Sequence, residues 1–454
     1  MVTRRQFFIG AGSLAFAGLA TSVLGSKANI SAMTISSGYG PLMPDPKKLI
    51  DLPKGFSYRV ISQLGDAMSD GLQVPDRADG MGCLPLANNR VALIRNHELQ
   101  PKHLAKLASS LQHHKTDLAY DKNADGVALP GGTTTLVYNT DTGEVEQQFV
   151  SLAGTIRNCS GGVTPWGSWL TCEESVDRAA VDSNSKGLTQ DHGYIFEVPA
   201  NASSLIKAKP LKAMGRFNHE AACVDPKTGI VYLTEDRGDS LFYRFVPKKF
   251  GDLAQGGQLQ ALAIKNMAKF DSRNWRSNEM PLAKWFDASW IDLDDVESPK
   301  DDLRERGHAQ GATLFARGEG IHWADGELYF CCTNGGNAQL GQIMRYQPSS
   351  NSSKDDGGRI QLFLESDDKS LYNFGDNLTV TDKGHLIVCE DQYTDVVDNH
   401  LRGVSPDGQV YNVAKLHRQT ELAGACFSPD GSTLFVNVYS PAKTLAITGP
   451  WQNI

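Results

Sequence analysis

The sequence predicts an all-β chain folded as a six-bladed β-propeller with rim insertions, and three observations carry that prediction. The 454 residues include 44 Gly and 20 Pro, a turn-rich balance that favours many short strands over long helices. A unit built from a short loop, a tight turn and an apolar strand recurs along the chain. Each copy carries an acid or amide at the same place, which a propeller produces and an ordinary sandwich does not.

The first unit runs from Asp79-Gly-Met-Gly-Cys83 through a turn at Asn88-Asn89 to Val91-Ala-Leu-Ile94, ending on His97-Glu98. The second, Gly154–Glu174, opens on Asn158-Cys159 and turns at Gly161-Gly162 and again at Pro165-Trp166-Gly167. It then follows Trp169-Leu-Thr-Cys172 to Glu173 and Glu174. In the third, Asn218-His-Glu220 precedes the turn Asp225-Pro-Lys-Thr-Gly229 and a strand ending on Glu235-Asp236. The fourth leads from Arg317-Gly-Glu319 over Ala324-Asp-Gly326 to Leu328–Thr333 and Asn334. The fifth leads from Asp376-Asn377 over Asp382-Lys-Gly384 to Leu386–Cys389 and Glu390-Asp391. The sixth leads from Glu421 over Ser428-Pro-Asp-Gly431 to Leu434–Tyr439. Gly55–Ser62 alternates like a strand and is expected to pair with the last unit and close the ring. His103–Asp125, helical around His103–Gln112, and Asp252–Gly311 fit no plain blade and are read as rim insertions. Asp121-Lys-Asn-Ala-Asp-Gly126 starts like an EF-hand loop, but Gly132 stands where the bidentate Glu is needed, so it reads as a solvated turn.

The domain plan is a signal at residues 1–28, a linker at 29–48 and one propeller domain at 49–454. Thr3-Arg4-Arg5-Gln6-Phe7-Phe8 followed by a mild apolar run to Leu24 matches a twin-arginine export signal, which places the mature protein in the periplasm or outside the cell. The run barely reaches the ~20 apolar residues of a membrane span, so no stable anchor is expected. That route carries folded proteins, which suits a chain loaded with its cofactor before export. A net charge of -8 disfavours nucleic acid as a partner. Eight cysteines in an exported chain permit disulfides, but no C-x-x-C pair exists and Cys172, Cys223, Cys331, Cys332 and Cys389 sit in apolar runs, as small buried hydrophobes do.

Strands that converge on an axis turn a repeated acid into a ring of carboxylates at one mouth of a channel. The candidates are Glu98, Glu173, Glu174, Glu220, Glu235, Glu319, Asp376, Glu390 and Glu421. Cations are the simplest compensation for so many like charges. All-oxygen ligation suits calcium or another hard ion, whereas the thiol of Cys159 suits a transition metal. His97 and His219, each in an Asn-His-Glu triplet, are read as orienting a glutamate by hydrogen bond. Arg317 is the candidate to grip an oxyanion, with Arg157 and Arg237 weaker candidates for the same role.

Asn158-Cys-Ser-Gly-Gly-Val-Thr-Pro-Trp-Gly-Ser-Trp-Leu-Thr-Cys-Glu-Glu174, Asn218-His-Glu220, Leu233-Thr-Glu-Asp-Arg237, Arg317-Gly-Glu-Gly320, Asp376-Asn377 and Ile447-Thr-Gly-Pro-Trp451 together resemble the PhoX-type alkaline phosphatases, from about Gly55 to Trp451. The resemblance implies a six-bladed propeller, export by the twin-arginine machinery, hydrolysis of phosphomonoesters, and ferric iron and calcium bridged by an oxo group. It implies Cys159 as an iron ligand, with Glu173, Glu220, Glu235, Glu319, Asp376 and Glu390 shared between Fe3+ and Ca2+, and Arg317 on the phosphate. The substrate would be a small phosphate ester and the protein a monomer. Two other readings of the ring stay open at this point: a calcium-dependent lactonase or esterase, and a binding propeller that keeps calcium for stability.

Overall fold

The computed structural model describes residues 37–106, 116–179, 187–349, 357–392 and 396–454. The expected export signal, residues 29–36 of the expected linker, and the rest of the helical stretch after a 3-10 turn at Pro101–Lys106 lie outside the described residues.

The chain is all-β with a propeller-like arrangement. In order, the strands are β1 (Leu42–Met43), β2 (Ile50–Pro53), β3 (Ser57–Gln63), β4 (Ala78–Leu86), β5 (Arg90–His97), β6 (Gly131–Asn139), β7 (Glu144–Thr155), β8 (Asn158–Val163) and β9 (Ser168–Glu173). They continue as β10 (Ile195–Pro199), β11 (His219–Val224), β12 (Val231–Glu235), β13 (Tyr243–Pro247), β14 (Gly257–Ile264), β15 (Trp285–Asp292), β16 (Gly318–Ala324), β17 (Glu327–Cys332) and β18 (Gln342–Gln347). The last are β19 (Arg359–Glu365), β20 (Gly375–Val380), β21 (Leu386–Glu390), β22 (His400–Val404), β23 (Val410–Leu416), β24 (Leu422–Phe427), β25 (Thr433–Val438) and β26 (Lys443–Thr448). A short α-helix, Leu303–Ala309, precedes β16 among the described residues.

Among the described residues the hydrogen bonding resolves five sheets, which corrects the expectation of six separate blades. The cause is β15, a strand inside what reads as a rim insertion. It pairs with β14 on one side and β19 on the other, so the β11–β14 and β16–β19 meanders merge into one nine-stranded sheet. The sheet of β8, β9 and β10 has three strands. As expected, the strand near Gly55–Ser62 closes the circle, because β3 adds to β26 at the chain's other end. The first strands β4, β8, β11, β16, β20 and β24 touch one another in a closed cycle.

Turn chemistry explains the meanders. Asn88 and Asn89, both at positive φ, join β4 to β5 as a type I′ turn demands. The hairpin of β8 and β9 turns at Thr164–Gly167, as expected of Pro165-Trp166-Gly167, but there is no second turn at Gly161-Gly162. Those two glycines lie within β8, where a Cβ would fall 1.9 Å from the Leu170 carbonyl oxygen and 1.8 Å from that of Ala222; their role is close approach. Between neighbouring meanders the strands bury apolar layers, such as Tyr232, Phe242, Phe330 and Tyr346. Each such side chain contributes roughly 2–3 kcal/mol by leaving water. The end of the expected linker belongs to this body: β1 pairs with β2, and Tyr39 packs edge-on against Phe56 and Trp451. No described helix is long and apolar enough to cross a membrane.

Candidate metal centre

Each first strand breaks register with its partner near its start. The breaks fall at Ala78/Met81 in β4, Asn158/Gly161 in β8, His219/Ala222 in β11, Gly318/Ile321 in β16, Gly375/Leu378 in β20 and Ala423/Cys426 in β24. A bulge of this kind leaves residues unpaired and re-aims a side chain. The first residues skipped are Asp79, Cys159, Glu220, Glu319, Asp376 and, in β24, Gly424. Every one with a side chain lines a single cavity of about 490 Å3. A second tier comes from the residue just past the end of β5, β9, β12, β21 and β25: Glu98, Glu174, Asp236, Asp391 and Tyr439 line the same cavity, as does Glu421.

Beneath the acids the strands close together. A Cβ on Gly80 would stand 2.5 Å from Ser160 Cα, one on Gly320 2.6 Å from Asn377 Cα, and one on Gly424 2.5 Å from the Asp79 carbonyl oxygen. Glycine at these points lets neighbouring first strands meet and floor the cavity. Further along the same strands a second cavity, about 340 Å3, has apolar walls that include Met81, Val163, Trp169, Ile321, Trp323 and Phe427.

Three groups in the acidic cavity each bring ligand atoms within 4.8 Å of one another: Cys159 with Glu174 and Glu220, Glu220 with Glu319 and Asp376, and Asp376 with Asp391 and Glu421. Burial, and next the neighbouring carboxylates, raise the carboxyls of Glu220 and Asp79 well above the ordinary range. Burial likewise raises Glu174 and Glu319, although Arg157 and Arg317 oppose it. Asp376 is pushed up to about 7 by burial and then by Asp391. Burial, followed by Glu220 and Glu174, pushes the Cys159 thiol up. Buried acids that crowd one another in this way fit a cluster of cations, which would let all of them ionise.

Three arginines stand on the wall at equivalent places, each directly before a first strand and each in the left-handed region: Arg77 (φ 55°), Arg157 (φ 48°) and Arg317 (φ 50°). Such a conformation costs a non-glycine residue about 1–2 kcal/mol, so the surroundings hold it there. Arg157 pairs with Glu98 at 2.9 Å and Glu174 at 2.6 Å. Arg77 donates to Tyr439, which donates to Glu98. Arg317 grips Asp236 with Nε at 2.6 Å and Nη2 at 2.9 Å, and Glu319 with Nη2 at 3.0 Å.

Of the residues named from sequence, Glu98, Arg157, Cys159, Glu174, Glu220, Arg317, Glu319, Asp376 and Glu421 face the cavity. Glu173, Glu235 and Glu390 do not, and this corrects the expectation. Glu173 accepts hydrogen bonds from the amides of Ile156, Gly193 and Tyr194 and from His192. Glu235 accepts from the Tyr243 hydroxyl, and burial raises its carboxyl to about 7. Glu390 is held by Arg402 at 2.7 Å and by the amides of Asn373 and His400. Their chain neighbours Glu174, Asp236 and Asp391 take the cavity positions. His97 and His219 orient no carboxylate: His97 bonds the Asp76 carbonyl and Thr134, and His219 bonds the Gly215 carbonyl. The histidines that do hold glutamates are His192 and His400. Arg237 pairs with Asp301 and Asn218 and lies off the cavity lining. Asp79, Asp236, Asp391 and Arg77 were missed; the acid beside each named acid was the available signal for Asp236 and Asp391.

The family model for alkaline phosphatase PhoX matches residues 37–442. No curated protein matches the chain. Among solved structures, Pseudomonas fluorescens PhoX in complex with vanadate, a transition state analogue, superposes with a TM-score of 0.65 at 18% identity, covering 88% of this chain and 96% of that one. A gluconolactonase from Xanthomonas campestris gives 0.44 at 13% identity, covering 90% of this chain and 98% of that one.

Proposed function

The chain belongs to the PhoX alkaline phosphatase family, and we infer from that membership that it hydrolyses phosphomonoesters. The single observation within the fold that supports the reading is the acidic cavity with three arginines on its wall. A phosphoryl group is an anion, and a cavity of carboxylates admits one only when cations and guanidinium groups outweigh the acids.

We assign the cations as ferric iron and calcium. Cys159 and the carboxylates Glu174 and Glu220 offer the thiol and oxygen donors that iron accepts. Glu220 with Glu319 and Asp376, and Asp376 with Asp391 and Glu421, offer the all-oxygen sets that calcium takes. Such ions, when bound, supply Lewis-acid stabilisation of the charge that develops on the phosphoryl oxygens. The chain's own part is positioning. Asp236 and Glu319 occupy Nε and Nη2 of Arg317 and lock its guanidinium plane, so Nη1 is the edge we assign to a non-bridging phosphoryl oxygen. Arg157, fixed between Glu98 and Glu174, holds a second positive charge on the wall.

The closed cycle of first strands supports reading the architecture as six blades, two of them within the nine-stranded sheet. Arg4-Arg5 and the apolar run behind them support twin-arginine export to the periplasm or beyond, as a monomer without a membrane anchor. The decisive experiment supplies protein exported by its own signal, measured for iron and calcium, with p-nitrophenyl phosphate at alkaline pH. Hydrolysis is expected, with inhibition by vanadate. Metal-loaded protein that leaves this ester untouched while turning over diesters or lactones overturns the assignment.

A further inference from the structure

Two residues before a cavity-lining acid or tyrosine, on the second strand of three sheets, stands a buried polar side chain that points away from its own blade. Asn96 precedes Glu98, Thr234 precedes Asp236 and Asn437 precedes Tyr439; all three are at most 1% exposed. A spacing of two puts each on the same face as its cavity partner.

Each crosses to the bulge of the next first strand. The Asn96 amide donates to the carbonyls of Cys159 at 3.1 Å and Ser160 at 2.7 Å, while its own oxygen accepts from Trp169 Nε1 at 2.9 Å. The Thr234 hydroxyl donates to the Glu319 carbonyl at 2.6 Å and accepts from the Ala221 amide at 3.1 Å. The Asn437 amide donates to the Asp79 carbonyl at 2.6 Å, and its oxygen accepts from Thr444 at 2.7 Å. In the other three hairpins of the cycle the equivalent second-strand residues are the buried cysteines Cys172, Cys331 and Cys389. Around the cycle, three of the six junctions thus carry a polar crosslink and three a small apolar side chain.

We propose that Asn96, Thr234 and Asn437 are positioning residues that set the aim of Cys159, Glu319 and Asp79 into the cavity. A bulge carbonyl has lost its ladder partner, and the backbone there is free to swing unless another donor holds it. Fixing the carbonyl fixes the residue's own Cα–Cβ direction, and hence where its ligand atom lies. Partners of this kind change metal affinity without touching the metal. The inference rests on the cation reading of the cavity and not on phosphatase activity.

The test is a calcium titration of chelator-stripped protein, with calcium alone as probe and melting temperature measured on the stripped form. Thr234→Val keeps the shape and removes the hydroxyl. The expected result is an apparent calcium Kd raised about 10- to 100-fold, with the stripped melting temperature lowered by about 2–4 °C at most. Thr234→Ser restores the hydroxyl and should return the Kd to within about threefold of wild type. Should Thr234→Val fail to fold, Asn437→Ser is titrated in the same way with the same expectation. Wild-type affinity in the valine variant, equal loss in the serine variant, or a wild-type protein that takes up no calcium overturns the proposal. Because no hydrolysis is measured, failure of the phosphatase assignment leaves this test readable.

Discussion

Glu173 and Glu174 are consecutive residues with opposite fates, and the contrast recurs at Glu235-Asp236 and Glu390-Asp391. The first of each pair sits in a buried socket off the cavity lining, which for Glu235 is made by the Tyr243 hydroxyl. Glu173 collects three backbone amides and His192, which Asp121 holds from the other side at 3.2 Å; Glu390 collects two amides and the Arg402 guanidinium. The second of each pair faces the cavity, where other acids outnumber the arginines. A carboxylate surrounded by built-in donors is already compensated and serves the fold. One surrounded by carboxyls awaits compensation from outside, and that difference separates structural acids from candidate ligands better than burial does, since both kinds are buried.

Removing metal should break the cavity and spare the sockets. Chelation is expected to abolish hydrolysis and to leave a stripped protein whose stability depends on pH. Asp376, at about 7 when folded against an ordinary value near 4, prefers the protonated form in the folded state. A raised acid contributes stability that is full below its unfolded pKa and is lost as pH rises through the folded one. The stripped protein should therefore melt at progressively lower temperature from pH 4 to 7, with Glu174, Glu220 and Glu319 shifting in the same direction. Saturating calcium should remove most of that fall and leave the smaller part due to Glu235, which lies off the cavity lining. Calorimetry across this range, with and without calcium, checks the comparison; a pH-independent melting temperature would sink it.

Exchanging the members of one pair sharpens it further. Glu174→Gln should lower kcat/KM by at least about 100-fold, the upper end of what loss of a metal partner costs, and leave the stripped protein as stable as wild type or more so, because a crowded acid is gone. Glu173→Gln should do the reverse. It leaves His192 with Asp121 as its single carboxylate, at a loss of about 3–5 kcal/mol of stability, as expected for a broken buried pair. Denaturant unfolding beside steady-state kinetics reads both. Variants that behave alike would mean that the pair is one network.

The architecture was legible because turn residues and apolar runs recur: Asn88-Asn89 and Ser428-Pro-Asp-Gly431 mark hairpins by chemistry that only a few residue types supply. Cys159 was legible because its neighbours are polar and small. The choice within each acidic pair was not. Period-2 reasoning needs one wet face and one dry one, and here both faces of a strand pack against neighbouring sheets: Ile387 and Cys389 face one core, Leu386 and Val388 another. The bulges hide further, since a short glycine-rich stretch offers no apolar spacing in which a skipped residue would show, which is why Asp79 was read only as part of the glycine-rich start of its unit. β15 was missed because its polar end, leading into Asp292–Asp302, reads as a solvated insertion although Phe286 and Ala288 are buried.

The smallest expected effect concerns Arg317, which belongs to both sides of the comparison. Its Nε and Nη2 are spent on Asp236 and Glu319 as a socket's donors would be, yet its side chain is 34% exposed on the cavity wall. Arg317→Lys keeps the charge and loses the planar fork, so one ammonium must serve Asp236, Glu319 and the phosphoryl group together. Loss of one charge-assisted hydrogen bond of about 1.5 kcal/mol corresponds to roughly a tenfold drop in kcat/KM. The stripped melting temperature should stay within about 2 °C of wild type, because a partly exposed pair holds little of the fold. If Arg317 only braces Asp236, the lysine variant loses stability and keeps its KM; if the guanidinium grips substrate, KM for p-nitrophenyl phosphate rises while the melting curve stays where it was.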